Sequence, residues 1–460
     1  MGVILMIDVP IMTTEKSANE IKINDVIAYI KQFNNNALSR LTRLNDYYEG
    51  RHAILNRTKA DGLSNNRITV NFASYIADLT SAYLIGSPVK YSAPEGVEID
   101  AILKALKKAD SATQDSDLAL DAAVFGTCYE LMYMSSDPKP EPRLARLSPL
   151  NTFVVYDDTV EQNPVFAVYY YPIRDANGNI TKYKGSYYTD EISCAFTLTS
   201  SFTLLSAENP ERHYFGAVPI NEIYNDGRRS GDFEQVTSLI DAYNTLQSDR
   251  VNDKEQFVDA ILLISGAILG DTNDEKSDTY QAIKEHRVME LNDGATAQYL
   301  TRQFDEGSVE VLQRRIEQSI HKISKTPDMS DENFASNVSG VAMRYKLLPL
   351  EERTTIKERY FAEGLRYRLR LLQNAAEITG GAKVDISEIE IKFSRSLPVN
   401  ELEIAQTAQA LSGIVPRETI LGMIPAVTDV TAAIEKLDAE KKEAAERQQA
   451  MFSNTPVFEN

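Results

Sequence analysis

The chain is poor in cysteine, in histidine and in long apolar runs, and each shortage removes a class of protein. Two cysteines in 460 residues, Cys128 and Cys194, build neither a disulfide framework nor a cysteine zinc site. Both are expected as buried thiols. No stretch approaches the roughly 20 apolar residues that span a bilayer. The opening MGVILMIDVP is apolar but short and lacks the basic start of a secretion signal, so the chain is expected in the cytosol. Cationic excess is missing as well, for the formal net charge is −19. A protein whose main task is to grip nucleic acid needs Lys and Arg for its phosphates. A protein that lets DNA slide past does not.

Catalytic signatures are also missing. There is no GxxxxGK[ST] phosphate loop, no GxGxxG after a strand, no HExxH and no GxSxG. His52, His213, His286 and His321 stand far apart in the sequence. His321 lies beside the apolar stripe of its helix and reads as structural or interfacial. Asp328, Asp331 and Glu332 are oxygen donors of the kind a hard cation takes, but capping and solvating the start of a loop is the favoured reading. No nucleophile–base pair stands out. No catalytic, cofactor-binding or metal site is therefore assigned, and the chain is read as a non-enzyme.

What is present is a 43% hydrophobic, 25% charged composition, ordinary for a globular protein of two or three domains. Apolar periodicity predicts a helix over VIAYIKQF capped by Asn24, a second with Leu38, Leu41, Leu44 and Tyr48 stopped by Gly50, and a third from Asn71. Another helix is expected near 113–125. Then YELMYM, FVVYDD, FAVYYYPI, ITKYKGSYY, CAFTLTS and ERHYF read as strands, with DANGN (175–179) as a hairpin turn. A mixed or antiparallel sheet lying against the earlier helices follows from them.

After the loop NDGRRSGD, Asp232 is placed as cap of a helix of about 30 residues, roughly 45 Å, with Val236, Leu239, Ile240, Tyr243 and Leu246 on one stripe. An insert with short strands such as HRVMEL and an acidic segment separates it from SVEVLQRRIEQSIHKI. That helix carries Val309, Leu312, Ile316, Ile320 and Ile323. A polar loop, TPDMSDENFASNVSG, leads to a helix of about 39 residues with Pro349 inside, where a kink is expected. The basic residues between Arg344 and Arg370 interleave with glutamates and read as a salt-bridged helix face, with a contact to an acidic neighbouring subunit as the competitor. ISEIEIKFSRSL reads as a late strand returning to the sheet. The last 60 residues read as helical, with a charged tail.

Five stretches in order carry a family resemblance: LNDYYEGRHAIL (44–55), NFASYIADLTSAYLIGSPVKY (71–91), VFGTCYELMYM (124–134), FGAVPINEIYNDGRRSGDFEQVTSLIDAYNTLQSD (215–249) and TPDMSDENFASNVSGVAMRYKL (326–347). Over them the chain resembles the portal (head-to-tail connector) proteins of tailed bacteriophages, of the siphophage and prophage type of Gram-positive hosts. The resemblance implies an α+β, mainly helical fold. A wing of helices and mixed or antiparallel sheet would span 1–231, a stem helix 232–263, a small α/β clip 264–306 and a second stem helix 307–327. A channel loop would follow at 328–340, a long kinked helix and returning wing strand at 341–396, and a helical crown with a charged tail at 397–460.

It further implies a ring at one capsid vertex, usually of twelve subunits, acting as conduit for packaging and ejection of double-stranded DNA. Its partners would be the terminase large subunit, a head–tail adaptor and capsid or scaffold proteins, with no membrane. The chain would be made in the bacterial cytoplasm and end in the virion. Ser330, Asn333, Phe334, Ser336, Asn337, Val338 and Ser339 would line the channel loop, with Gly340 and Pro349 as its hinges. Asp271, Asp274, Glu275 and Asp278 of the clip would meet terminase and adaptor. Two other readings stay open: a cytosolic enzyme acting on nucleic acid or nucleotides, and another head-completion structural protein.

Overall fold

The computed structural model describes residues 11–60, 63–94, 96–258, 261–265, 272–274, 276–277, 281, 294, 296–300, 306–329, 340–378, 384–395, 401–422, 424, 427, 430, 433–434 and 436–442. Its helices are α1 (Ile23–Asn36), α2 (Leu38–Tyr48), α3 (Phe72–Leu84), α4 (Asp100–Lys108), α5 (Ser111–Phe125), α6 (Thr237–Val258), α7 (Glu306–Ser324), α8 (Gly340–Ile378), α9 (Glu401–Leu411) and α10 (Arg417–Gly422). The chain divides into two units: residues 1–328 with 349–396, and residues 329–348 with 397–460.

In the first unit the sheet is mixed, as expected. Seven strands run in the spatial order Thr13–Thr14, Thr152–Asp157, Pro164–Arg174, Ile180–Tyr188, Ile192–Thr199 and Glu211–Arg212, with Leu204–Ala207 also on Ile192–Thr199. Only the first pairing is parallel. DANGN closes the hairpin as predicted, because the Asp175 carboxylate accepts the N–H groups of Asn177 (2.9 Å) and Asn179 (2.8 Å).

Strand alternation then decides what each sheet face buries. Phe166, Val168 and Tyr170 join α1 and α2 in one core, where Phe33 stacks on Phe153 with ring centres 5.1 Å apart. Ala167, Val154 and Tyr156 point the other way, onto Tyr129, Leu147 and Ile220 of a three-stranded sheet. That sheet runs Ile220–Tyr224, Thr127–Met134, Pro142–Leu147. Both faces are covered, so its strands read as apolar runs as much as alternations.

Four local expectations need correction. The cap of α1 is not Asn24, which lies inside the helix. Asp25, one turn in, accepts the Lys22 N–H instead (3.0 Å). Helix α4 was missed, although Ile102 and Leu106 of DAILKALKK bury one turn apart. Glu390–Lys392 does not return to the large sheet but pairs with Lys90–Ser92 in a separate ribbon. The stem helix is shorter than read: a 3₁₀ turn at Glu234–Val236 precedes 22 residues of α-helix, and Ile261–Ser265, which was expected to begin as helix, is a strand paired antiparallel with Thr296–Leu300. The β-branched, apolar ILLIS run prefers a pairing partner to a continued helix. HRVMEL lies outside the described residues.

In the second unit, α9 and α10 are joined by a turn carrying the Ser412–Val415 bridge, and Arg417 pairs with Asp438 at 3.1 Å. The last 60 residues, read as helical, are helical over α9, α10 and residues 436–442.

The two glycines of the α5 terminus and its neighbouring loop are constrained. Gly126 ends α5 with φ +87°, and a Cβ there would stand 2.0 Å from the Arg229 carbonyl oxygen; one on Gly231 would stand 2.4 Å from that of Val124. Gly126→Ala should therefore destabilise the protein by about 2–4 kcal/mol, from left-handed backbone strain plus overpacking. Thermal unfolding of the purified variant checks this, and an unchanged midpoint would contradict the close approach.

Candidate functional site

The loop NDGRRSGD explains where Asp232 goes. Asn225 N–H donates to the Gly126 carbonyl (2.9 Å) and Asp232 N–H to that of Ala123 (2.7 Å), so the loop docks on the end of α5. Asp232 thereby enters the core rather than capping a helix, and this corrects the sequence expectation. Its fully buried carboxylate receives Arg353 Nη2 at 2.8 Å and Lys357 Nζ at 2.5 Å, both from α8. The Thr80 hydroxyl of α3 and the Asn225 amide (2.7 Å) donate to it as well.

Burial alone would push Asp232 up. The two cations and the hydroxyl outweigh that and hold it at about 2, below its ordinary 3.8. Lys357 moves the unfavourable way for its charge: burial lowers it, and Asp232 only partly offsets this. One carboxylate shared by two cations accounts for the asymmetry, since Arg353 repels Lys357 while both hold Asp232.

Arg353 also reaches the end of α7, where Nη1 donates to the Ser324 carbonyl at 2.6 Å. The start of the α6 segment, the end of α7 and α8 thus meet on one guanidinium. Beyond Ser324 the chain reverses through Lys325 in the left-handed region (φ +57°), and Thr326 N–H returns to the His321 carbonyl (3.1 Å). His321 packs edge-on against Phe72 and Tyr75, both 5.8 Å away, in keeping with its structural reading.

Helix α6 buries a face the sequence reading missed. Alongside Val236, Ile240 and Tyr243, the fully buried Asn244, Ser248 and Asn252 accept the N–H groups of Val70 (2.8 Å), Ile68 (2.9 Å) and Asn66 (2.6 Å). Their spacing of four residues puts them in one row along the helix. The extended segment 66–70 is thereby attached to α6 by backbone hydrogen bonds.

The basic run of α8 is not a surface of intrahelical pairs. Besides Arg353 and Lys357, Arg368 is completely buried, bidentate to Glu130 (2.8 Å and 2.8 Å) and 2.6 Å from Asp115. Glu351 and Glu358, read as its helical partners, pair with Arg395 instead. Only Arg359, Arg366 and Arg370 in the buried part of the helix face outward. Nothing in the sequence marks which cations turn in, except that Arg353, Lys357 and Arg368 fall close to one face of the helix.

Ser330, Asn333, Phe334, Ser336, Asn337, Val338 and Ser339 lie outside the described residues, as do Asp271, Glu275 and Asp278. Asp274 is described and exposed. Gly340 is the first residue of α8, and Pro349 lies within that helix, where the chain divides into its two units.

A family model described as phage portal protein, SPP1 Gp6-like, matches residues 27–447. A portal protein of Clostridium phage phiCD119 is 22% identical over 400 residues, covering 82% of this chain and 85% of that relative. A portal protein of Bacillus phage SPP1 is 22% identical over 409 residues, covering 84% and 78%. Among solved structures, a chain in the neck of an empty GTA particle computed with C6 symmetry is 13% identical, with a TM-score of 0.43 over 77% of this chain and 90% of its own. A chain in the neck of a native GTA particle computed with C12 symmetry gives 12% and 0.42 over 77% and 89%. At those scores the likeness of backbone carries no argument of its own.

Asp232→Asn removes the buried negative charge between the half-buried Arg353 and the buried Lys357. It should cost about 3–5 kcal/mol at neutral pH. An aspartate held low in the folded state contributes stability that is complete above its ordinary 3.8 and lost as pH falls toward 2. The gap in unfolding midpoint between wild type and variant should accordingly narrow between pH 4 and 2. A gap constant over that range would mean that the charge of Asp232 is not what stabilises the junction.

Proposed function

The chain belongs to the SPP1 Gp6-like family of phage portal proteins, and on that premise we propose how its parts divide the work of a DNA conduit. As a portal protein it is a structural component of the virion, placed at the capsid vertex. In the proposed arrangement, copies close into a ring, α6 and α7 form the stem, residues between Ile261 and Leu300 form the clip that meets the terminase and later a head–tail adaptor, and the loop 330–339 faces the DNA.

The observation that carries the reading is the match over 27–447 joined to the helix pair itself. Helices α6 and α7, about 33 and 28 Å long, pack on each other and enclose an insert opened and closed by one strand pair. Arg250 crosses between the helices to Gln313 (3.1 Å) and Glu306 (3.0 Å). Yet Val311, Leu312 and Ile323 of α7 remain 58%, 52% and 47% exposed in one chain. Apolar residues left on the outer side of a helix favour cover, and a neighbouring subunit in a head-to-tail ring would supply it.

Loop chemistry supports a sliding contact. Asn333, Ser336, Asn337 and Ser339 offer neutral hydrogen-bonding groups and Phe334 and Val338 apolar ones. Such groups touch a phosphate backbone without the salt-dependent grip that Lys or Arg adds. The net charge of −19 acts in the same sense, by repelling DNA from the walls. With no phosphate-binding loop in the sequence, ATP hydrolysis falls to the terminase.

Negative-stain electron microscopy with mass photometry tests the ring: particles with a central hole and a mass of about twelve subunits are expected. A protein that stays monomeric at its highest soluble concentration would count against self-closing assembly. Asn333→Lys with Asn337→Lys should leave the ring intact and slow DNA packaging several-fold. Packaging at the wild-type rate would show that these residues do not face the DNA.

A further inference from the structure

We propose that Glu317, His321 and Asp328 form a binding site for a divalent transition-metal ion at the end of α7. Each of the three offers one ligand atom, and these atoms all lie within 4.8 Å of one another. Sequence reading had grouped Asp328 with Asp331 and Glu332, which lie outside the described residues. The structure brings it instead to two side chains one helical turn apart on α7. Glu317 and His321 are at i and i+4 and so share a helix face, while the reversal at Lys325 carries Asp328 back to them.

The imidazole is oriented for this role. His321 Nδ1–H donates to the Thr326 carbonyl at 3.0 Å. A carbonyl only accepts, so Nδ1 carries the proton, which in the neutral ring leaves Nε2 as the nitrogen with a lone pair to give. This is the arrangement by which metal-ligating histidines are held. Phe72 and Tyr75 fix the ring plane edge-on. The Tyr75 hydroxyl donates to the Pro327 carbonyl at 2.8 Å, which anchors the peptide just before Asp328. Phe72 and Tyr75 thus steady the ring and the Pro327 peptide from α3, outside the ligand set.

Ligand chemistry selects the ion. One imidazole nitrogen with two carboxylates suits Zn²⁺, Mn²⁺ or Co²⁺, whereas Ca²⁺ and Mg²⁺ prefer all-oxygen sets. Bonds of about 2.1 Å place tetrahedral ligand atoms about 3.4 Å apart, so from separations of up to 4.8 Å the carboxylates close by at most about 1.4 Å through side-chain rotation. All three residues are half-buried, which leaves water to complete the coordination. An ion here would join α7 to Asp328, just ahead of the segment 330–339. The site does not depend on the portal reading, although its effect on that loop would.

Titration of the full-length, EDTA-treated protein with Zn²⁺ by calorimetry, and with Co²⁺ by its visible absorption, tests the site. One ion per chain with micromolar affinity is expected, together with a Co²⁺ band that Zn²⁺ displaces. His321 packs against two aromatic rings, so His321→Gln also risks the fold. Glu317→Gln and Asp328→Asn carry the test, each expected to weaken binding about tenfold or more without moving the metal-free unfolding midpoint. No binding at millimolar metal, or binding indifferent to both substitutions, would overturn the proposal.

Discussion

A single buried carboxylate sets the geometry on which the rest of the first unit depends. Asp232 stands where α3, the loop from Asn225 and α8 converge, and Arg353 extends the junction to the last carbonyls of α7. Removing such charges from water is costly, and the cost is offset only when every donor is in place. Thr80, Asn225, Arg353 and Lys357 satisfy that condition together, so the junction forms as a whole or loses most of its value. An apolar contact of the same size would tolerate sliding. A carboxylate with directed partners does not, and the two helices that rise from this point are held to one angle and one register.

A second buried charge cluster lies further along α8. Arg368 between Glu130 and Asp115 ties the helix to the three-stranded sheet and to α5, while Leu369, Leu371 and Leu372 bury beside Ile102 and Leu106 of α4. Charge specifies the register and apolar area supplies the stability. The polar row Asn244, Ser248 and Asn252 does the same for α6 against the segment 66–70.

Much of this was legible in the sequence where one rule dominates. Long apolar periods located α1, α2, α3 and α8, strand texture and DANGN located the large sheet, and Asn71, read as the start of the third helix, is its cap, accepting the Ser74 N–H. The failures share a cause. Asp232 before a helical pattern looks like a cap, because local chemistry cannot foresee two cations arriving from more than a hundred residues away. Arg353, Lys357 and Arg368 among interleaved glutamates look like a solvated face for the same reason. Asn244, Ser248 and Asn252 drew no reading at all, since polar residues on a helix suggest exposure until a backbone segment offers its N–H groups. Of the candidate loop and clip residues, the structure describes only Asp274, Gly340 and Pro349, so their roles rest on chemistry and family membership.

The internal clusters also bear on the surface. The junction at Asp232 carries one surplus cation and the cluster at Arg368 one surplus anion, so formally they cancel. The excess of 67 acidic over 48 basic residues is therefore carried outside these cores. Subunits of like sign repel at long range, and salt screens that repulsion beyond about 10 Å. In the proposed ring, cohesion between copies would then fall to short-range contacts, of the kind that the exposed Val311, Leu312 and Ile323 could make. In the proposed conduit the same excess would work against DNA lingering on the walls. One distribution of charge would then ask the subunits to hold each other by packing and leave the nucleic acid unheld, which is the division a conduit requires.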